Sequence, residues 1–134
     1  MLLGSILWFL LFFASAIVAL VVFVVLYEKV TPYDDYKLIY EEGNLAAGIS
    51  FGGAIIGVSI PIFSALSNSV SYIDFVVWVI IAIAVQLAFA YGSTSVSEKY
   101  SFKRHIDEGK VAVGVLMSAI SIAIGIINAG SMSY

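Results

Sequence analysis

Residues 41–61 read EEGNLAAGISFGGAIIGVSIP: two acids, a glycine and an asparagine, then an apolar run of membrane-spanning length studded with glycine and serine. The pattern recurs 66 residues later, where residues 107–127 read DEGKVAVGVLMSAISIAIGII. Sliding the chain over itself by that interval pairs Glu42 with Glu108, Gly43 with Gly109, Ala46 with Ala112, Gly48 with Gly114, Ile56 with Ile122 and Ile60 with Ile126. The stretch therefore predicts two spanning helices that enter the membrane from the same side.

Composition agrees. Of 134 residues, 62% are hydrophobic and only 11% charged, against about 25% charged in a soluble domain. The chain has no cysteine, which excludes a disulfide framework, a thiolate nucleophile and a cysteine-ligated metal. His105 is its one histidine, so a multi-histidine metal site cannot form within one subunit. A formal charge of −3 without a long basic run argues against nucleic acid as a partner. No cofactor is expected.

Working outward from residues 41–61 gives four spans. Leu2 to Leu26 is apolar apart from Gly4, Ser5 and Ser15, and about 20 such residues cross the hydrocarbon core. A signal peptide has a basic start and an apolar region of about 7–15 residues. This run is longer and no Lys or Arg precedes it, so it reads as the first span. The polar loop from Tyr27 to Glu42 carries Pro32, which ends any continuous helix, and four tyrosines that mark a membrane interface. The second span covers about 44–66, with Pro61 in its last turns. A short uncharged turn, Ser67 to Tyr72, leads to the third span at about 74–91. A second polar loop, Gly92 to Gly109, precedes the fourth at about 110–129. The expected architecture is an all-α membrane protein with four transmembrane helices, arranged as two parallel helix-hairpin repeats, 1–66 and 67–134, related by an axis along the membrane normal.

Lys29, Lys37, Lys99, Lys103, Arg104 and Lys110 all lie in, or at the edge of, the loops after the first and third spans. The positive-inside rule places both loops in the cytoplasm of a plasma (inner) membrane and both termini outside. Trp8, Tyr72 and Trp78 then fall near the outer interface, and Tyr27, Tyr40, Tyr91 and Tyr100 near the inner one.

Small residues drive helix association in lipid, because they let backbones approach where no hydrophobic force acts. At about 100° per residue, Asn44, Gly48, Gly52 and Ser59 share one stripe of the second span. Gly114, Ser118, Ser121, Gly125 and Asn128 form the corresponding stripe of the fourth. The expected core contact is stripe against stripe. A second stripe, Ser50, Gly53, Gly57 and Ser64, lies on the opposite side of the second span and is the candidate interface with another subunit.

Few residues carry chemistry. Gln86 lies in apolar surroundings in the third span and must find a partner, either as a helix fastener or as a pore or substrate contact. Asn128 reads as a fastener or terminal cap. Pro61 leaves the carbonyl of Gly57 without a donor, a kink that nearby hydroxyls repair in most helices and that coordinates cations in some transporters. The pairs Glu41/Glu42 and Asp107/Glu108 suit helix N-termini, where Asn44 also caps free amides. Asp74 has the same explanation, and His105 reads as a solvated side chain.

Taken together, YEEGNLAAGISFGGAIIGVSIPIFSA, Gln86 in a VQLAF setting, the DEGKVAVGV echo and the ending GIINAGSMSY resemble the YjfL-like family of small prokaryotic inner-membrane proteins of unknown function. Glu42 to Ala46, Gln86 and Asn128 carry the likeness. The second repeat has Lys110 where the first has Asn44. The resemblance implies a four-span plasma-membrane protein and supplies no activity. The residues themselves favour a non-enzymatic protein that self-associates in the bilayer through the second glycine face and offers its charged loops to a cytoplasmic or membrane partner. The alternative is a small ion channel or transporter with a path along Asn44, Gly48 and Ser59. An enzyme of lipid chemistry is weaker, lacking a buried histidine or carboxylate pair in the sequence.

Overall fold

A computed structural model of the protein describes residues 1–31, 34–94 and 102–134. Pro32, Tyr33, Lys99 and Tyr100, which enter the reading of the two charged loops, lie outside the described residues. The described elements are α1 (Leu2–Val30), one π-helical turn (Lys37–Glu41), α2 (Leu45–Asn68), α3 (Tyr72–Thr94), α4 (Phe102–Asp107) and α5 (Val111–Ser131). Helices α1, α2, α3 and α5 are long and apolar enough to cross a membrane.

Helix α1 runs four residues past the expected end. Phe23, Tyr27 and Thr31 recur every fourth residue, hence on one face, and all three are buried. The helix continues through Glu28, half-buried, and Lys29, exposed, while that face stays covered. Thr31 ends it in an extended conformation, as a residue before proline prefers, with its amide and its hydroxyl both donating to the Tyr27 carbonyl at 2.9 Å. At 29 residues the helix is about 43 Å long, well beyond a hydrocarbon core of about 30 Å. Phe23 and Tyr27 pack with Ala54, Val58 and Ile62 of α2 and Ala90 of α3.

The described parts of the polar loops contain two short helical turns, Lys37–Glu41 and Phe102–Asp107. Leu38 in the π turn and Ile106 in α4 bury against Ala46 and Ala47 at the start of α2, so two short helical turns fold back over the same end of the bundle. Both turns close through a glycine in the left-handed region, Gly43 at φ 60° and Gly109 at φ 75°. The next amide in each case reaches back, Asn44 to the Leu38 carbonyl at 2.8 Å and Lys110 to the His105 carbonyl at 3.0 Å. A side chain at either glycine would be strained.

The tightest packing is between α2 and α5, which run parallel. A side chain at Gly53 would overlap Ser118, and one at Gly57 would overlap the Ser121 carbonyl. One at Gly114 would meet the Ala46 carbonyl oxygen at 2.5 Å, and one at Gly125 would overlap the Gly57 carbonyl oxygen. Pro61, buried inside α2, explains the last contact. It has no N–H for the Gly57 carbonyl, and that oxygen instead faces the Cα of Gly125, the geometry of a weak C–H···O contact.

Here the expectation for α2 is corrected. The two spans that pack are the expected ones, but α2 turns its other face to α5. Ser50, Gly53 and Gly57, expected to be free for another subunit, are buried inside the chain. Gly48 and Gly52, expected to pack on the fourth span, have nothing among the described residues within 4 Å of where a side chain would begin. The physical reason is the neighbouring pattern: Ala46 and Ala54 flank the Gly53 face and extend it into a smooth surface that matches the small residues of α5, whereas Leu45, Ile56 and Phe63, all largely exposed, flank the Gly48 face and make it uneven. Ser59 lies on the open side with its hydroxyl turned back to the Ile55 carbonyl at 2.7 Å. Ser64 bonds Tyr134 at 2.8 Å.

Gly125→Leu or Gly57→Leu should therefore lower the thermal midpoint in detergent by an amount worth at least about 1–3 kcal/mol, read by circular dichroism. Gly48→Ala and Gly52→Ala should leave it unchanged or slightly raised.

Candidate functional site

Three polar arrangements hold the bundle. The first is a seam between the antiparallel helices α3 and α5. Gln86 Nε2 donates to the Ser121 carbonyl of α5 at 3.4 Å, and Asn128 Nδ2 donates to the Ala82 carbonyl of α3 at 3.2 Å. The two amides thus lie about one helical turn apart on the same seam and cross it in opposite directions. Gln86 is 5% exposed, yet its Oε1 accepts no hydrogen bond. It sits beside Gly57 at the α2–α5 contact, so the small-residue interface and the amide seam are neighbours.

The second is the start of α2. Asn44 Oδ1 accepts from the Ala47 amide at 3.0 Å as an N-cap, and its Nδ2 donates to the Ile106 carbonyl at 2.7 Å. One side chain therefore caps a span and ties the two loops together. Lys110, at the equivalent place before α5, makes no side-chain cap. The acidic pair beside it is satisfied by cations: Lys103 to Asp107 at 3.1 Å, Arg104 to Glu108 at 3.3 Å and Lys110 to Glu108 at 3.4 Å. Arg104 and Lys110 hold the Glu108 carboxyl below its ordinary range. All are exposed, so solvent and salt screen each pair and it adds little to stability. Asp74 organises the far end, accepting from the Val70 amide at 3.0 Å and the Trp78 indole at 3.1 Å.

The third arrangement was not legible in the sequence. Asp35 is 0% exposed, and Glu28, near the end of α1, lies beside it. Burial first, then hydrogen bonding to Glu28 and the charges of Glu28 and Asp34, push the Asp35 carboxyl up to about 9. Tyr27 and Tyr36, their sequence neighbours, both set their rings edge-on to Phe51 of α2, at 5.9 and 5.8 Å. No group of three or more His, Cys, Asp or Glu side chains able to hold a metal ion occurs among the described residues.

This geometry, four apolar spans with two short helical turns over one end, can be set against known proteins. The model of the family described as Domain of Unknown Function (DUF350) matches residues 1–132. The chain belongs to this family. It is similar to the UPF0719 inner membrane protein YjfL of Escherichia coli (strain K12), with 33% identity over 132 residues, 98% of each chain. It is also similar to the UPF0719 transmembrane protein YshE of Bacillus subtilis (strain 168), with 23% identity over 121 residues, 90% of each. No solved structure matches the chain.

Within the family frame, the structure brings Gln86 and Asn128 onto one seam, places Asn44 over α4, and sets Gly53, Gly57, Gly114, Ser118, Ser121 and Gly125 in one contact. It separates Gly48, Gly52 and Ser59 from that contact. Glu28 and Asp35 are the addition. The four-residue spacing of Phe23, Tyr27 and Thr31 was the signal for carrying α1 through Glu28, whereas an Asp in a polar loop carries no sign of its burial.

Gln86→Leu should remove the seam hydrogen bond and cost about 0.6–2 kcal/mol. Asn44→Ala should cost about 1 kcal/mol and also speed hydrogen exchange in α4, because the tie to Ile106 is lost.

Proposed function

We propose that this protein is a non-enzymatic integral protein of the inner membrane that self-associates through the open glycine face of α2 and presents its two charged loops to the cytoplasm as a surface for partner proteins. The observation that carries the reading is the pair Gly48 and Gly52: one turn apart in the first third of a spanning helix, half-buried, with open space among the described residues where a side chain would start. A neighbouring helix can reach the α2 backbone there and nowhere else on α2, since the Gly53 face is taken by α5. Exposed Ile56 and Phe63 beside the glycines supply knobs for the partner's corresponding hollow, which is how a self-complementary contact works.

The placement of the loops rests on their basic residues. Lys29, Lys37, Lys103, Arg104 and Lys110 stand at the end of the bundle that Asn44 ties together, and relatives named as inner membrane and transmembrane proteins supply the membrane. The positive-inside rule then puts that end in the cytoplasm and both termini outside. The matching turns at Gly43 and Gly109 support reading the chain as two parallel hairpin units.

A transport role is the second reading, favoured by the spare acceptor on Gln86 in the bundle interior. A path inside one chain cannot run between Gly48 and α5, because those surfaces face apart. Flux of small ions into liposomes that depends on Gln86 and survives blockage of self-association would favour transport over the assembly reading.

Self-association predicts that Gly48→Leu with Gly52→Leu shifts the wild-type oligomer toward monomer in crosslinking and native mass measurements in mild detergent, with the thermal midpoint unchanged. A wild-type monomer in those measurements sinks the reading. Because the chain has no cysteine, orientation is testable with single replacements in the intact cell: Lys37→Cys should resist a membrane-impermeant thiol reagent, and Ser67→Cys should react.

A further inference from the structure

We infer that Glu28 and Asp35 form a proton-binding site at the loop end of α1, in which one proton shared between two carboxyls holds the 34–44 segment against the bundle. The inference starts from unmet chemistry. Both Asp35 carboxyl oxygens and Glu28 Oε1 are buried from solvent, and among the described residues none receives a hydrogen bond from a donor in place. No ion pair among the described residues involves Glu28 or Asp35: those formed join Lys103, Arg104 and Lys110 to Asp107 and Glu108, Lys29 and Lys37 are neighbours in the chain that pair with neither carboxyl, and the charges acting on Asp35 are those of Glu28 and Asp34. The nearby Thr31 hydroxyl donates to the Tyr27 carbonyl, and the Lys37 amide donates to Asp34 at 3.1 Å. A buried carboxylate with neither counter-charge nor donor is too costly to persist. Two carboxyls facing each other solve the problem with a single proton, since the protonated one becomes the donor the other lacks.

The groups around the pair make proton loss harder. Asp34 in the same segment adds a negative charge. The partly exposed Tyr36 phenol is pushed upward by burial and then by the charges of Glu28, Asp35 and Tyr40. Tyr27, the chain neighbour of Glu28, is buried with its ring edge-on to Phe51 of α2. The sign of the linkage follows. Asp35 ordinarily titrates at 3.8 and in the docked segment near 9, so the docked form binds more protons than the undocked form between those values. Docking is tightest at low pH, weakens as pH rises through that window, and levels off above it. Because Asp35 lies three residues before Leu38, whose side chain buries on Ala46 and Ile106, undocking it disturbs both loops. The site is independent of self-association.

The test uses the full chain in nanodiscs of phosphatidylcholine and phosphatidylglycerol. Infrared difference spectra should show a protonated carboxyl that persists through neutrality and is lost near pH 9, and Asp35→Asn should abolish that titration. Hydrogen exchange of residues 34–44, corrected for intrinsic rate, should show an opening equilibrium that rises about tenfold per pH unit through the window, the slope of one linked proton. Asp35→Asn, an uncharged isostere, should flatten that slope, and Glu28→Gln should do so in its own right if the first variant folds poorly. Three results would overturn the proposal: carboxyls already charged at neutral pH, a slope that both variants retain, or loss of the protonated signal at neutral pH on adding magnesium or calcium, which would make the site one for a metal cation.

Discussion

Everything in this bundle depends on how closely α2 and α5 approach. In a membrane, separating two helices costs no hydrophobic energy, because lipid replaces one apolar neighbour with another. Contact must come from dispersion and from weak polar interactions at short range. The α2–α5 seam achieves that range by omission: Gly53, Gly57, Gly114 and Gly125 each face backbone or a serine where a side chain would stand. Pro61 adds to it by leaving the Gly57 carbonyl without a helical donor, so that the oxygen turns to Gly125. The same residues that make α2 a poor helix by propensity make it a good surface for a neighbouring backbone.

That approach sets what the other helices do. With α5 seated on one side of α2, α1 and α3 pack around Ala54, Val58 and Ile62 on the next face, and α3 is near enough to α5 for Gln86 and Asn128 to cross the seam. The remaining face of α2, with Gly48 and Gly52, is covered by none of the described elements. One helix therefore contributes a closed interface within the chain and an open one beside it, and the open one is where the proposed assembly would form.

The loop end is built differently, from polar and apolar parts together. Leu38 and Ile106 supply buried surface, left-handed glycines at 43 and 109 turn the chain back toward the membrane, and Asn44 joins the two loops through one side chain. Glu28 and Asp35 lie under this cover. The burial of Asp35 and of one Glu28 oxygen goes with the packing of the 34–44 segment over α1 and α2, so on the proposed linkage the state of these carboxyls and the position of the loop are two descriptions of one equilibrium.

The sequence by itself determined the four spans, their approximate limits, the pairing of the second with the fourth, and the shared end of the charged loops. Each depends on local composition and on helical periodicity, which a chain carries whatever its neighbours are. Its likeness to the YjfL-like family was legible for the same reason, in the residues of the Glu42 to Ala46 turn, Gln86 and Asn128. Which small-residue face of α2 meets α5 was not legible, because both stripes satisfy the angular pattern equally. The choice fell to the alanines beside Gly53 and the bulky Leu45, Ile56 and Phe63 beside Gly48, whose effect exists only once a second helix approaches. The burial of Asp35 was likewise beyond the sequence: a loop residue is wet or dry according to what folds over it, and the fold alone brings Glu28 of α1 against Asp35 and the rings of Tyr27 and Tyr36 onto Phe51.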